Sequence, residues 1–246
     1  MRLFDDIIGE LRELVGNEQA RGRTKALPIH AGTNWPPAGN RNIILQSEVG
    51  VELGNPRDES VSFLAWTEQP SLVRGNAIFL IGPDLGEAET ERLPFGKVVL
   101  VRVSGFDEGN AYERHNEMER SRFELSLEGY MIRAASQHLR EWSRVSKEAL
   151  QRGFSLSVLG SEQIHRLEKL PYVVSTEVLF VTASSEEVAR LRPHAEWVSR
   201  YIGAMKKMSE ELDLDCSSCD YRQVCSEVDD LRAMRASLQG KARAGR

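Results

Sequence analysis

Cysteine is scarce in this chain: Cys216, Cys219 and Cys225 are all that 246 residues contain, and they fall within ten positions. An odd, clustered set is a poor disulfide framework and fits a metal or redox role in a reducing compartment better. Long apolar runs are missing as well. No stretch approaches the ~18 uninterrupted apolar residues of a membrane helix, which argues against membrane spanning. The opening MRLFDDIIGELREL carries Asp5 and Asp6 where a secretory leader would be positive and then apolar, so a cytoplasmic protein is expected. Basic excess is also lacking: a formal net charge of −5 argues against generic nucleic-acid binding. Finally, several catalytic signatures are absent. The five histidines (His30, His115, His138, His165 and His194) form no HExxH pair, and there is no GK[ST] phosphate loop, GxGxxG fingerprint or GxSxG elbow.

What is present is the balance of a globular protein, 41 % apolar and 28 % charged, at a length that buries a core without staples. Phe4, Ile7, Ile8, Leu11, Leu14 and Val15 recur at helical spacing. The following TKALPIHAGTNWPPAGN, with Pro28, Gly32, Pro36, Pro37 and Gly39, reads as a linker or extended arm. Short apolar runs then predict strands at NIIL, VGVEL, SVSFLAW, AIFLI and KVVLVRV, the last two central in a sheet. A long polar helix is expected from about Glu113 to Arg152, bent near Gly129 and closed by Gly153. Strands FSLSVL and VVSTEVLFVTA follow, separated by a short helix SEQIHRLEKL. Ser184 and Glu187 form a capping box, and a helix starts at Pro193 and runs to about Leu212. The fold class expected is α/β or α+β, a mixed sheet flanked by helices, with a long central helix and a small C-terminal cysteine segment. The organisation expected is a helix and arm over 1–41, an α/β domain over 42–212, a cysteine knuckle over 213–230, and a basic tail over 231–246 that frays into disorder. Residues 208–230 hold eight acidic side chains and one arginine, whereas 231–246 hold five basic ones and no acid.

Two patterns carry chemistry. In Asp215-Cys216-Ser-Ser-Cys219-Asp-Tyr-Arg-Gln-Val-Cys225 a C-x2-C knuckle lets two thiolates converge on one ion or cluster, and Cys225 adds a third corner. The fourth ligand is missing and must come from a carboxylate, a histidine, solvent or another chain. The plainer reading is a set of thiols without metal. On the expected long helix, Arg133, Arg140, Arg144 and Lys147 share one face, with Trp142 opposite. Such a stripe either holds phosphates or is an ordinary solvated face. Ile81-Gly82-Pro83-Asp84, after a strand, is a turn or a binding loop.

The order of several pieces resembles acetyl-CoA synthase, the catalytic component of the carbon monoxide dehydrogenase/acetyl-CoA synthase complex. They are Val51-Glu-Leu-Gly54-Asn-Pro56, Ser60-Val-Ser-Phe-Leu-Ala-Trp66, Leu80-Ile-Gly-Pro-Asp84, Pro94-Phe-Gly-Lys-Val-Val-Leu, Gly129-Tyr-Met, Arg140-Glu-Trp142-Ser-Arg144-Val-Ser-Lys147, Lys169-Leu-Pro-Tyr172 and the cysteine knuckle. The resemblance runs from about residue 40 to 230 and implies the family's middle domain plus the entry to its metal-binding domain. In that family an A-cluster, a 4Fe–4S cluster bridged to nickel, joins a methyl group, carbon monoxide and coenzyme A, and the methyl group arrives on a corrinoid protein. Cys216 and Cys219 match the family's first C-x2-C pair and Cys225 its next cysteine. The Cys219–Cys225 interval is shorter than the family's, and its further cluster cysteine and Cys-Gly-Cys have no counterpart here. A chain active alone is therefore not expected.

The resemblance implies a truncated, accessory or split form that binds coenzyme A, a 4Fe–4S cluster, or both, with nickel only if a partner completes the site. Trp142 with Arg140 and Arg144 matches the family's coenzyme A neighbourhood, and Arg133 and Lys147 join them as candidates. Partners implied are CO dehydrogenase, a corrinoid protein or a complementary synthase chain, with no nucleic acid and no membrane. The alternatives are an iron–sulfur or zinc protein for electron transfer, metal delivery or regulation, and a structural docking module.

Overall fold

The computed structural model describes residues 1–31, 35–39, 43–55, 60–210 and 219–244. Its strands are β1 (Thr24–Leu27), β2 (Val49–Leu53), β3 (Ser60–Thr67), β4 (Ala77–Ile81), β5 (Arg92–Leu93), β6 (Phe95–Val103), β7 (Tyr130–Ser136), β8 (Arg140–Ser146) and β9 (Val173–Val181). Its helices are α1 (Asp5–Ala20), α2 (Ala111–Phe123), α3 (Lys147–Gln151), α4 (Leu156–Leu167), α5 (Ser185–Ala189), α6 (Arg192–Glu210), α7 (Arg222–Glu227) and α8 (Asp229–Ala244). The mixed α/β class holds, with two mixed sheets where the sequence suggested one. The larger has the order β1-β4-β9-β6-β3 and the smaller β5-β2-β8-β7.

The apolar runs explain the larger sheet. In β6, FGKVVLVRV is buried at eight of nine positions because helices cover one face and the smaller sheet approaches the other. Both β4 and β6 are interior, as their composition predicts. On one face α1, α5 and α6 pack against β3, and Leu191 comes against Gly96. On the other, Gly160 of α4 rests on Ile78, and β8 crosses β3 and β6. The apolar stripe of α1 is buried at Ile7, Ile8, Leu11 and Val15, as 3.6-residue periodicity requires. Ser184 caps α5 by accepting from the Glu187 amide. Pro193 is the second residue of α6, one position later than expected. Among the described residues no helix is long and apolar enough to cross a membrane.

The largest departure is the helix expected over 113–152. It is α2, then the β7–β8 hairpin, then α3. The inward face of β8 carries Glu141, Ser143 and Val145, so two of the three side chains on that face are polar and the usual apolar alternation is hidden. Gly129 does not bend a helix. Its φ of +74° turns the chain into β7, and a β-carbon there would lie 2.5 Å from that of Ala149. Gly153 does close a helix, with φ +90° after α3, but a helix of five residues.

Three smaller expectations are also corrected. FSLSVL is not a strand: Ser155 accepts from the Val158 amide and starts α4. Within the expected arm, residues 24–27 pair with β4 as an edge strand. Of NIIL, Ile43, Ile44 and Leu45 form no strand, and Asn42 lies outside the described residues. Helix α8 runs through much of the segment where a short helix fraying into a basic tail is expected.

Candidate functional site

The hairpin decides where the basic residues go. With a period of two, Arg140, Trp142 and Arg144 share the outer face of β8, opposite the buried Glu141 and Ser143. The expected separation of Trp142 from the basic residues, a consequence of helical spacing, is thereby removed. Arg133, the bulge residue of β7, is exposed and holds its guanidinium 5.3 Å from the Trp142 ring centre, and Arg144 approaches the same ring at 5.8 Å. The indole N–H of Trp142 has no hydrogen-bond partner among the described residues.

Arg144 is not a free cation. It is buried, donates from Nε to Glu52 on β2 at 2.8 Å, and also bonds the Gln46 side chain and the Ile44 carbonyl. Arg92 reaches the other Glu52 oxygen at 2.9 Å. Lys147 lies past the strand end and donates to the Ser47 carbonyl at 3.0 Å. It borders a separate cleft of about 320 Å³, also lined by Ile43, Gly129 and Arg152. The structure thus unites Arg133, Arg140, Trp142 and Arg144 and leaves Lys147 apart.

Burial alone would raise the Glu52 carboxyl, but hydrogen bonds and charge from Arg92 and Arg144 hold it below its ordinary value of 4.5. The sign follows: the pairing stabilises the fold above about pH 4.5, and its contribution is lost as pH falls below that value. Glu52→Gln is expected to cost roughly 2–3 kcal/mol in urea unfolding at neutral pH. The difference from wild type shrinks in acid.

Under this face lies a charged layer that the sequence reading missed. Lys97, in the middle of β6, is fully buried and ion-paired with the equally buried Glu141. Glu141 also accepts from the Tyr130 hydroxyl at 2.7 Å and from Ser62 at 3.2 Å. Arg122 of α2 grips both oxygens of Glu119, at 2.5 and 3.1 Å, and also bonds Ser62. Burial lowers the Lys97 ammonium from its ordinary value, against the pull of Glu141. Burial pushes Glu141 up, but Lys97 and Arg122 outweigh it and the carboxyl lies below its ordinary value. Glu119 is likewise opposed by burial, yet Arg122 and a His138 hydrogen bond bring it down to about 2. A lysine inside an apolar strand was the legible signal, since a buried ammonium needs a buried counter-charge.

The cysteine segment is a third location. Cys216 lies outside the described residues. Cys219 is half-buried and Cys225 buried on α7, and both line a small cavity with Met208, Tyr221, Arg222 and Arg235. Its volume is about 20 Å³ among the described residues, room for a single ion or water. Both cysteines border this cavity, whose exposed surface is apolar, and the described residues alone do not supply the four thiolates of a cluster.

Compared with known protein families, residues 32–188 match the CO dehydrogenase/acetyl-CoA synthase complex beta subunit. That segment takes in both sheets apart from β1, together with the Trp142 face and the charged layer; the three cysteines lie outside it. Among curated proteins nothing matches the chain. With well over half of its length matched, the chain belongs to the family of the CO dehydrogenase/acetyl-CoA synthase complex beta subunit.

Proposed function

We propose that the chain is an acetyl-CoA-synthase-like protein that binds coenzyme A on the outer face of β7 and β8. It acts in one-carbon metabolism as an accessory or split form, together with CO dehydrogenase, a corrinoid protein or a complementary synthase chain. The observation that carries the reading is the exposed Arg133 guanidinium over the half-buried Trp142 ring, inside the family-matched segment. An aromatic ring can stack on adenine, and a guanidinium can fork onto phosphate. Arg140 shares the face as a further phosphate contact. Arg144 acts through Glu52 as a positioning residue near the ring. Calorimetric titration of coenzyme A into the full chain tests this. Saturable binding that weakens with added salt is expected; a flat titration at low salt contradicts it.

A second reading concerns Cys216, Cys219 and Cys225, which would hold zinc or, with a partner's ligands, an iron–sulfur cluster. The ion-sized cavity beside Cys219 and Cys225 favours a single ion. Metal and sulfide analysis of protein purified without oxygen decides between them. A zinc ion that Cys219→Ser loses, with no sulfide, is expected. Iron with equimolar sulfide would favour the cluster.

A further inference from the structure

The charged layer continues into a cluster that the coenzyme A reading does not use. His115 and Glu119 are one helical turn apart on α2, so their side chains share a face. His138, in the turn between β7 and β8, reaches the same place and bonds Glu119 through Nδ1 at 2.7 Å. The two imidazole rings are 5.1 Å apart, centre to centre. All three side chains are buried, and one nitrogen from each histidine and a carboxylate oxygen lie within 4.8 Å of one another.

Two further observations point to a ligand. His115 is completely buried, and neither of its ring nitrogens has a hydrogen-bond partner among the described residues. A buried polar group left unpaired costs about 1–3 kcal/mol, so His115 carries an unsatisfied donor and an unsatisfied acceptor, and one of its two nitrogens lies in the cluster. His138 has φ +63°, the one described non-glycine residue in the left-handed region. Such a conformation costs of order 1–3 kcal/mol and persists where the surroundings impose it, as ligand clamps do. Here the hairpin tip is tied to β3 by the Ser62 amide, which donates to the Leu139 carbonyl at 2.9 Å.

We propose that His115, Glu119 and His138 form a buried binding site for a divalent first-row transition ion of the zinc type. Two imidazoles and one carboxylate suit such ions and leave a coordination position for a non-protein ligand. Atoms bonded at about 2.1 Å to one tetrahedral ion are about 3.4 Å apart, so the three ligands, now within 4.8 Å of one another, draw in by up to about 1.4 Å on binding. Neutral His115 lends the lone pair of one nitrogen and keeps its proton on the other. Arg122 holds the Glu119 carboxylate from behind, the orienting role that an outer shell supplies. The surrounding charges already balance, Arg122 against Glu119 and Lys97 against Glu141. The two imidazole donors disfavour calcium and magnesium, which require several carboxylate oxygens, and the balanced charges call for an anionic fourth ligand such as hydroxide. The site is separate from the cysteine segment and stands whether or not coenzyme A binds.

The test is titration of the metal-free full chain with Co²⁺, read by absorption and by melting temperature. Thiolate-bound cobalt shows a strong charge-transfer band, whereas a site of imidazole and carboxylate shows d–d bands without it. One ion per chain of the second kind is expected, raising the melting temperature and persisting in Cys219→Ser. His138→Asn keeps a residue tolerant of the left-handed backbone and an N–H donor for Glu119. It should retain the wild-type circular dichroism and lose affinity by at least about a hundredfold, as should His115→Gln. A wild-type chain whose bound cobalt is all thiolate-ligated overturns the proposal, and so does a folded His138→Asn chain with wild-type affinity.

Discussion

Lys97→Met is expected to destabilise the fold by about 3–5 kcal/mol, because it leaves Glu141 charged in the interior without its partner. Methionine fills the space of the lysine stem, so the loss is electrostatic rather than a cavity. The Tyr130 and Ser62 hydroxyls still donate to Glu141 but bring no net charge, and the nearby Arg122 cation is already paired with Glu119. Adding Glu141→Gln removes the uncompensated charge. The double variant should therefore be more stable than the sum of the single losses implies, by about 1–3 kcal/mol. Urea unfolding of the four chains gives the coupling directly. Strict additivity would show that Lys97 and Glu141 do not act as a pair.

Arg133→Glu is expected to weaken coenzyme A binding by about 10–100-fold, through loss of a charge-assisted phosphate contact and repulsion by its replacement. Its guanidinium is exposed and has no structural duty beyond lying over Trp142, so the melting temperature should hardly move. Trp142→Ala should lose binding to a similar degree by removing the stacking surface. Arg144→Ala should behave differently. It leaves Glu52 short of its buried partner and loosens the pairing of β2 with β8, so stability falls first and binding falls with it. The variants thus separate a ligand contact from a supporting ion pair. Equal loss of stability in Arg133→Glu and Arg144→Ala would contradict the assignment.

Four strands of the larger sheet were legible because they are largely buried and read as apolar runs, as SVSFLAW, AIFLI, KVVLVRV and VVSTEVLFV do, whereas the polar edge strand β1 was not. The hairpin was not, because its interior alternation is Glu141, Ser143, Val145 and its outer one is Arg140, Trp142, Arg144. Polar residues on both faces look like a solvated helix when their buried partners come from elsewhere in the chain. That single misreading had two consequences. It set Trp142 against the arginines that lie beside it in the sheet. It also separated His115 from His138 by about 35 Å along a continuous helix, whereas the hairpin brings their rings to 5.1 Å. The neighbourhood of Trp142 could still be picked out from its residues. The pairing of Arg144 with Glu52, 92 positions away, depends on strand register and leaves no local trace.

Amide hydrogen exchange on the full chain, with and without coenzyme A, tests the central claim most directly. The account predicts slowed exchange concentrated in residues 130–146, with the α6 and α1 amides unchanged. Saturable binding whose protection falls elsewhere, with 130–146 exchanging as in the free chain, would contradict it.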